Sequence, residues 1–311
     1  MNAVRVALVA AVSFASGCGI LVDEQTLQFH YDEAKDRLDV LVVSRGLYAS
    51  VPPPFLTSNR EQKIDAVADE WLDAIQRGDR WLTSSLLPFD IDLDTAYPEP
   101  ARKAAAQPYL DLIRVKHGDF FLDERGRLCL WQCFGIVHFG RFLDLVNHAM
   151  REALRDPATI DAWKKESDGV FPDARTEELL RAAAEREFTF VTTRGKALVV
   201  RAPLSRVGLR YLLGRALDGL TEQLAKDKDL PESRWWRECL SREWSLARVG
   251  ELTEVVLGNP EASEQVFTLP GRETAPGNLL PHLERRRVPV HKGLPEARWL
   301  EAFREFCADD H

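Results

Sequence analysis

The sequence lacks the features of a disordered, nucleic-acid-binding or multi-span membrane protein. Basic residues are not in excess, since 41 Lys and Arg stand against 49 Asp and Glu and give a formal net charge of −8. Such a chain has no general positive field to attract nucleic acid, so we predict no nucleic-acid partner. Hydrophobic residues make up 45% of the 311 residues, which excludes disorder as the main state. The long apolar run without charge is confined to the N-terminus, which excludes a protein with several membrane spans.

Recognisable catalytic and cofactor-binding motifs are also missing. The sequence has no GxSxG elbow, no HExxH, no GxxxxGK[ST] and no GxGxxG. These absences lower the expectation of an enzyme without removing it, because catalytic groups can converge from scattered positions. The sequence therefore predicts no catalytic residue, no cofactor and no metal ion, and it leaves open whether the protein is an enzyme.

The N-terminus has the layout of a secretory signal peptide. Met1–Arg5 is short and positively charged, Val6–Phe14 is apolar, and the small residues of Ala15–Gly17 come directly before Cys18. A charged start, an apolar run of 7–15 residues and a small-residue cleavage site are typical of such signals. The sequence therefore predicts export of the chain.

The residues before Cys18 resemble the lipobox of bacterial lipoproteins, whose usual form is Leu-Ala-Gly-Cys. Ser16, Gly17 and Cys18 match that form, whereas Ala15 stands where a larger aliphatic residue is commoner. The resemblance implies that cleavage leaves Cys18 first, with a diacylglycerol on its thiol and fatty acyl chains such as palmitate in the membrane. It also implies an extracytoplasmic location at the bacterial envelope, on the periplasmic face or the cell surface. It covers about eighteen residues and names no family for the body.

Two other interpretations of the N-terminus stay open. Val6–Val22 contains 17 residues without charge, which is the lower limit for a bilayer span, so the segment could be an uncleaved anchor. The same residues could also form a buried first element of a cytosolic structural protein.

Hydrophobic periodicity predicts an α+β fold, with an antiparallel sheet built from hairpins and helices packed on one face. Period-two alternation over residues 27–31 and 38–43 predicts the first hairpin, and helical spacing over 64–75 predicts a helix. The same patterns predict hairpins at 109–117 with 127–138, 188–193 with 197–202 and 246–257 with 265–269, and helices over 142–153, 205–228 and 298–307.

The length of the chain permits one large domain or two smaller ones. Residues 156–175 have the weakest pattern. We therefore predict a signal peptide over 1–17, an N-terminal α+β region over 18–156 and a C-terminal α+β region over 157–311. A single domain over 18–311 remains the alternative.

Two cysteines near the middle of the chain lie in an apolar segment. Cys129 and Cys133 flank Trp131 and alternate with other apolar residues, a pattern typical of a strand buried on both faces. Strand residues four apart lie ~13 Å from each other, which is too far for the two thiols to share one zinc ion or a disulfide. The sequence predicts two core cysteines here.

Two groups of residues are candidates for a partner surface. Trp235 and Trp236 lie among arginines, and such clusters suit a membrane interface or an anionic glycan. Arg285, Arg286 and Arg287 form a basic island that could contact lipid headgroups or an acidic polymer. The alternatives are core packing for the tryptophans and a solvated connector for the arginines.

The leading hypothesis is a lipid-anchored extracytoplasmic protein with a binding or structural role. Its expected partners are the membrane, through the lipid on Cys18, and an envelope protein or an anionic glycan or lipid. The alternative is an exported, hydrolase-like enzyme whose site is not visible as a motif.

Overall fold

The computed structural model of the chain describes residues 19–50, 60–82, 91–92, 100–167, 169–209, 211, 244–262, 264–270 and 277–309. The predictions for Cys18, Trp235 and Trp236 lie outside the described residues, as does most of the helix predicted over 205–228.

The described strands and helices alternate along the chain. The strands are β1 (Gly19–Leu21), β2 (Glu24–Asp32), β3 (Arg37–Arg45), β4 (Tyr48–Ser50), β5 (Trp81–Leu82), β6 (Ile91–Asp92), β7 (Ile113–Leu122), β8 (Leu128–Val137), β9 (Val191–Arg194), β10 (Ala197–Pro203), β11 (Trp244–Val249), β12 (Leu252–Leu257), β13 (Glu264–Pro270), β14 (Gly277–Asn278) and β15 (Val290–Lys292). The helices are α1 (Arg60–Arg77), α2 (Pro100–Leu110), α3 (Phe139–Arg155), α4 (Pro157–Glu166), α5 (Ala174–Glu185), α6 (Leu280–Arg285) and α7 (Glu296–Ala308). None of these helices combines the length and the apolarity that a bilayer crossing requires.

The contacts divide the chain into two compact units. The described residues of Ser13–Phe139 and Glu264–His311 form one of them, which we call the six-stranded unit. Those of Gly140–Ser263 form the other, the four-stranded unit. The boundary predicted at residues 156–157 lies inside the four-stranded unit, between α3 and α4.

The six-stranded unit is named for its main sheet, whose strand order is β13-β2-β3-β8-β7-β15. Adjacent strands of this sheet are antiparallel, except that β15 runs parallel to β7. The same unit contains a three-stranded antiparallel sheet, β1-β4-β14, and the short pair of β5 and β6. With helices packed against these mostly antiparallel sheets, the predicted α+β fold is confirmed.

Helices cover both faces of the six-stranded sheet, one face more than predicted. The reason lies in β8, where both sets of alternating side chains are apolar. One face joins the α1 core, which consists of Ile20, Val22, Leu47, Ala49, Ala68, Trp71, Leu72, Phe120, Leu128, Leu130, Leu279 and Leu283. The opposite face joins the α7 core, which consists of Leu41, Val43, Phe121, Cys129, Trp131, Cys133, Trp299, Phe303 and Phe306.

Cys129 and Cys133 lie in the α7 core, as predicted. Both are fully buried in the strand β8, and neither is joined in a disulfide. Burial raises the pKa of the Cys129 thiol to about 11 and that of Cys133 to about 12. The two thiols are therefore protonated, unreactive core groups at neutral pH.

The four-stranded unit is built on an antiparallel sheet of order β11-β12-β10-β9. The hairpin predicted over 188–202 is confirmed as β9 and β10. The hairpin predicted between 246–257 and 265–269 is wrong. Gly250, at φ +64°, turns the chain tightly between β11 and β12, so these two strands pair with each other. Strand β13 pairs instead with β2 of the six-stranded unit.

Candidate functional site

A cluster of charged side chains joins α1 to α6 in the six-stranded unit. Asp65, Asp69 and Asp73 follow one another at four-residue spacing on α1, so they lie on one face of that helix. His282 contacts two of them, with Nε2 3.1 Å from Asp65 Oδ1 and Nδ1 3.5 Å from Asp69 Oδ1. Arg286 is 3.3 Å from Asp69 and also bonds to Asp73. The cluster thus fixes α6 on the acidic face of α1.

The two ring nitrogens of His282 have different hydrogen-bond partners. Nη2 of Arg285 lies 2.7 Å from His282 Nδ1, and a guanidinium group has only donors, so Nδ1 accepts this bond. Its Nε2–H donates to Asp65 on the neighbouring helix. The side chain is buried; its Nε2 contacts Asp65 of α1, whereas the bond to its Nδ1 comes from Arg285 of its own helix, α6.

Two of the three arginines at positions 285–287 have partners within this cluster. The bonds that Arg286 donates to Asp73 raise the pKa of its guanidinium, and Arg285 is held at His282. Arg287 is exposed and begins the next turn with φ +56°. Because the carboxylates of Asp69 and Asp73 on α1 contact Arg286, the surface here is not a purely basic one. A role for Arg285, Arg286 and Arg287 in partner binding stays a prediction.

A second polar cluster lies under the last turn of α7. Arg37 and Asp39 are both buried on β3, with Arg37 Nε 2.8 Å from Asp39 Oδ1. The guanidinium also donates to two carbonyl oxygens at the end of the helix, those of Phe306 and Asp309, both at 2.5 Å. A cation at a helix C-terminus is favoured by the helix dipole and by the unpaired carbonyls there. Arg37 therefore anchors α7 to the sheet.

Asp39 is the least satisfied polar group of this cluster. Its Oδ2 atom is buried and has no hydrogen-bond partner in the described part of the chain. Burial raises its pKa, whereas the hydrogen bond and charge of Arg37, a hydrogen bond with the Cys307 thiol and the charge of His30 act in the opposite direction. Position 135 faces it as glycine, and a Cβ there would come within 2.7 Å of Asp39 Oδ1. Close packing and the ion pair with Arg37 thus hold a buried carboxylate in place.

A third cluster ties the segment after α1 to the six-stranded sheet. Gln132 Nε2 lies 2.9 Å from the carbonyl oxygen of Trp81 and 2.9 Å from His117 Nδ1. Since the amide donates to Nδ1, His117 is neutral and its Nε2–H donates to the carbonyl of Asp79 at 2.7 Å. Burial lowers the pKa of His117, and the bond to Asp79 only partly offsets this effect.

The His117 cluster predicts a dependence of stability on pH. A histidine whose pKa is lower in the folded than in the unfolded state binds fewer protons when folded. The free energy of unfolding should therefore fall as pH drops below about 6.5, and continue to fall until the pKa of the folded state is reached. Urea unfolding at pH 7.5, 6.5 and 5.5 measures this change. In the His117→Gln variant the slope over this range should be smaller; an unchanged slope would contradict the assignment.

A serine hydroxyl can act as a catalytic nucleophile, but the hydroxyl of Ser205 in the four-stranded unit has a structural role. Its hydroxyl donates to Asp173 Oδ2 at 2.7 Å and accepts from the backbone N–H of Gly208 at 2.8 Å and from Thr176 Oγ1 at 2.9 Å. Asp173 in turn caps α5 by accepting from the N–H of Thr176. These bonds satisfy backbone donors at helix starts, so the network is a pair of linked caps.

Comparisons with known proteins add no relationship to these observations. No protein-family model matches the chain, and neither the curated proteins nor the solved structures include a significant match. Within the described residues, no group of three or more His, Cys, Asp or Glu side chains is arranged to hold a metal ion.

Sequence reasoning did not identify the three polar clusters of the six-stranded unit. Polar residues at core-facing positions of otherwise apolar strands were the available signal, as at Asp39 in the run 38–43. Their partners lie far away in the sequence, since Arg37 bonds to residues of α7. A single sequence cannot supply such a pairing.

Proposed function

We propose that the protein is a lipid-anchored extracytoplasmic protein of the bacterial envelope, held at the membrane through Cys18, with a binding or structural role. The observation that carries the proposal is the order of residues at the N-terminus. A positively charged start and an apolar run precede Ser16, Gly17 and Cys18, which match the lipobox.

The use of the polar clusters supports a binding or structural role for the body. His282, His117, Ser205 and Arg37 each direct their donors and acceptors to neighbouring elements of the same unit. These hydrogen bonds join elements of the fold to one another. Such a use favours a binding or structural role for the body over a catalytic one.

The proposal predicts that Cys18→Ala releases the protein from the membrane or leaves the uncleaved precursor. A thiol is needed to accept the diacylglycerol, whose two acyl chains give the stable attachment that a single chain would not. Membrane fractionation of cells that express the natural chain and the variant measures the effect, with mass spectrometry of each fraction.

A matched control is Cys307→Ala, which removes a half-buried thiol at the end of α7. This variant should fractionate with the membrane as the natural chain does. Membrane attachment and mass that do not change in Cys18→Ala would rule the proposal out.

A further inference from the structure

The strand that follows Cys18 is fixed to the body along its whole length. Gly19 pairs with Ser50, Ile20 with Ala49 and Leu21 with Tyr48. Ile20 is 2% exposed and packs in the α1 core, which also includes Trp71 and Leu72 of α1. The residue that directly follows Cys18 in the sequence is therefore already part of a paired strand.

The lipid of an acylated Cys18 would lie very close to this strand. Consecutive Cα atoms are 3.8 Å apart, so Gly19 cannot move away from the modified residue. The acyl chains must lie in the hydrocarbon core, and the headgroup layer above it is only about 5 to 8 Å thick. A residue joined directly to the lipid-bearing cysteine therefore lies in or on that layer.

We infer that the body lies directly against the phospholipid headgroups, with the end of the three-stranded sheet that carries Gly19 and Ser50 facing them. The inference rests on the proposed function, since it requires a lipid on Cys18. The residues at this sheet end suit the contact: Gly19 and Ser50 are small and uncharged, and Gly277 of β14 stands opposite Ala49. The membrane then fixes the orientation of the six-stranded unit, whereas a lipoprotein with a long linker can tumble above the surface.

The test measures how close position 50 lies to the bilayer. A fluorescent coumarin amino acid replaces Ser50 in the full chain, which is purified with its lipid and reconstituted into phosphatidylcholine vesicles. A fraction of the vesicle lipid carries a nitroxide quencher on its headgroup. The matched control has the same label and a ten-residue Gly/Ser linker inserted between Cys18 and Gly19, which adds roughly 17 Å of mean reach.

We expect quenching in the directly joined protein to exceed that in the linker control by at least about twofold, because the linker lets the body leave the surface. Equal quenching in the two proteins, with the lipid present by mass, overturns the inference and leaves the proposed function standing. Absence of the lipid by mass overturns both. Circular dichroism of each labelled protein confirms that the substitution has left the fold intact, and a labelled Lys63→coumarin protein on α1 repeats the comparison if position 50 does not tolerate the dye.

Discussion

Arg37→Met is expected to destabilise the six-stranded unit by about 3 to 5 kcal/mol, because it leaves a buried charge without its partner. Asp39 is 1% exposed, and the guanidinium of Arg37 supplies its hydrogen bond at 2.8 Å. The same substitution removes the donors to the carbonyl oxygens of Phe306 and Asp309. Chemical unfolding followed by circular dichroism measures the loss.

The double variant Arg37→Met/Asp39→Asn separates the charge from the packing. It removes the buried charge along with its partner, so it should be more stable than Arg37→Met alone. A double variant that is less stable than the single one would show that the ion pair does not dominate the effect.

The pH dependence of Arg37→Met follows from the same pair. Burial raises the pKa of Asp39, and the loss of Arg37 removes the main influence that lowers it. A carboxyl with a raised folded pKa contributes stability that is present below its unfolded pKa and lost as pH rises through the folded value. The difference between the variant and the natural chain should therefore shrink as pH is lowered towards about 4.

Trp71→Ala is expected to cost about 3 to 5 kcal/mol of stability, since it opens a large cavity in the α1 core. Trp71 is fully buried and meets the ring of Phe120 edge to face, with the centroids 5.6 Å apart. It joins α1 to the six-stranded sheet in the same core that holds Ile20 of β1. The loss should appear in denaturant unfolding as a lower midpoint.

Trp71→Phe is the matched control for this substitution. The indole Nε1–H of Trp71 is buried and has no hydrogen-bond partner in the described residues, and an unsatisfied donor of this kind costs about 1 to 3 kcal/mol. Phenylalanine keeps a ring against Phe120 and removes that donor, so the change in stability should be much smaller than in Trp71→Ala. Equal losses in the two variants would contradict this account of the core.

Elements with strong periodicity could be predicted from the sequence because burial imposes the period. Helix α1 presents Ala68, Trp71 and Leu72 to the core, and that stripe was visible at 64–75. Strand β8 was predicted as buried on both faces, since apolar residues occupy both of its sides. In these two elements, the spacing of apolar residues in the sequence directly indicates which side chains are buried.

Short helices with little buried surface were missed. Helix α4 buries Ile160 and no other described side chain fully, so it has no apolar stripe to detect. Its start is set instead by Asp156, which caps it, and by proline at position 157; Asp173 caps α5 in the same way. These capping residues were the available signal in a stretch that hydrophobic periodicity alone left unassigned.

Contacts between elements that lie far apart in the chain also could not be predicted from the sequence. The alternation of β13 correctly indicated a strand but could not say that its partner is β2, more than two hundred residues earlier in the chain. In the same way, Asp65, Asp69 and Asp73 could be assigned to the polar side of α1, but their contact with α6 depends on tertiary packing.

The most direct test of the central claim is the intact mass of the protein expressed in its natural host and extracted with detergent. The account predicts a chain that begins at Cys18 and carries a diacylglycerol on that residue. A chain that begins at Met1, without lipid and recovered in the soluble fraction, would contradict it.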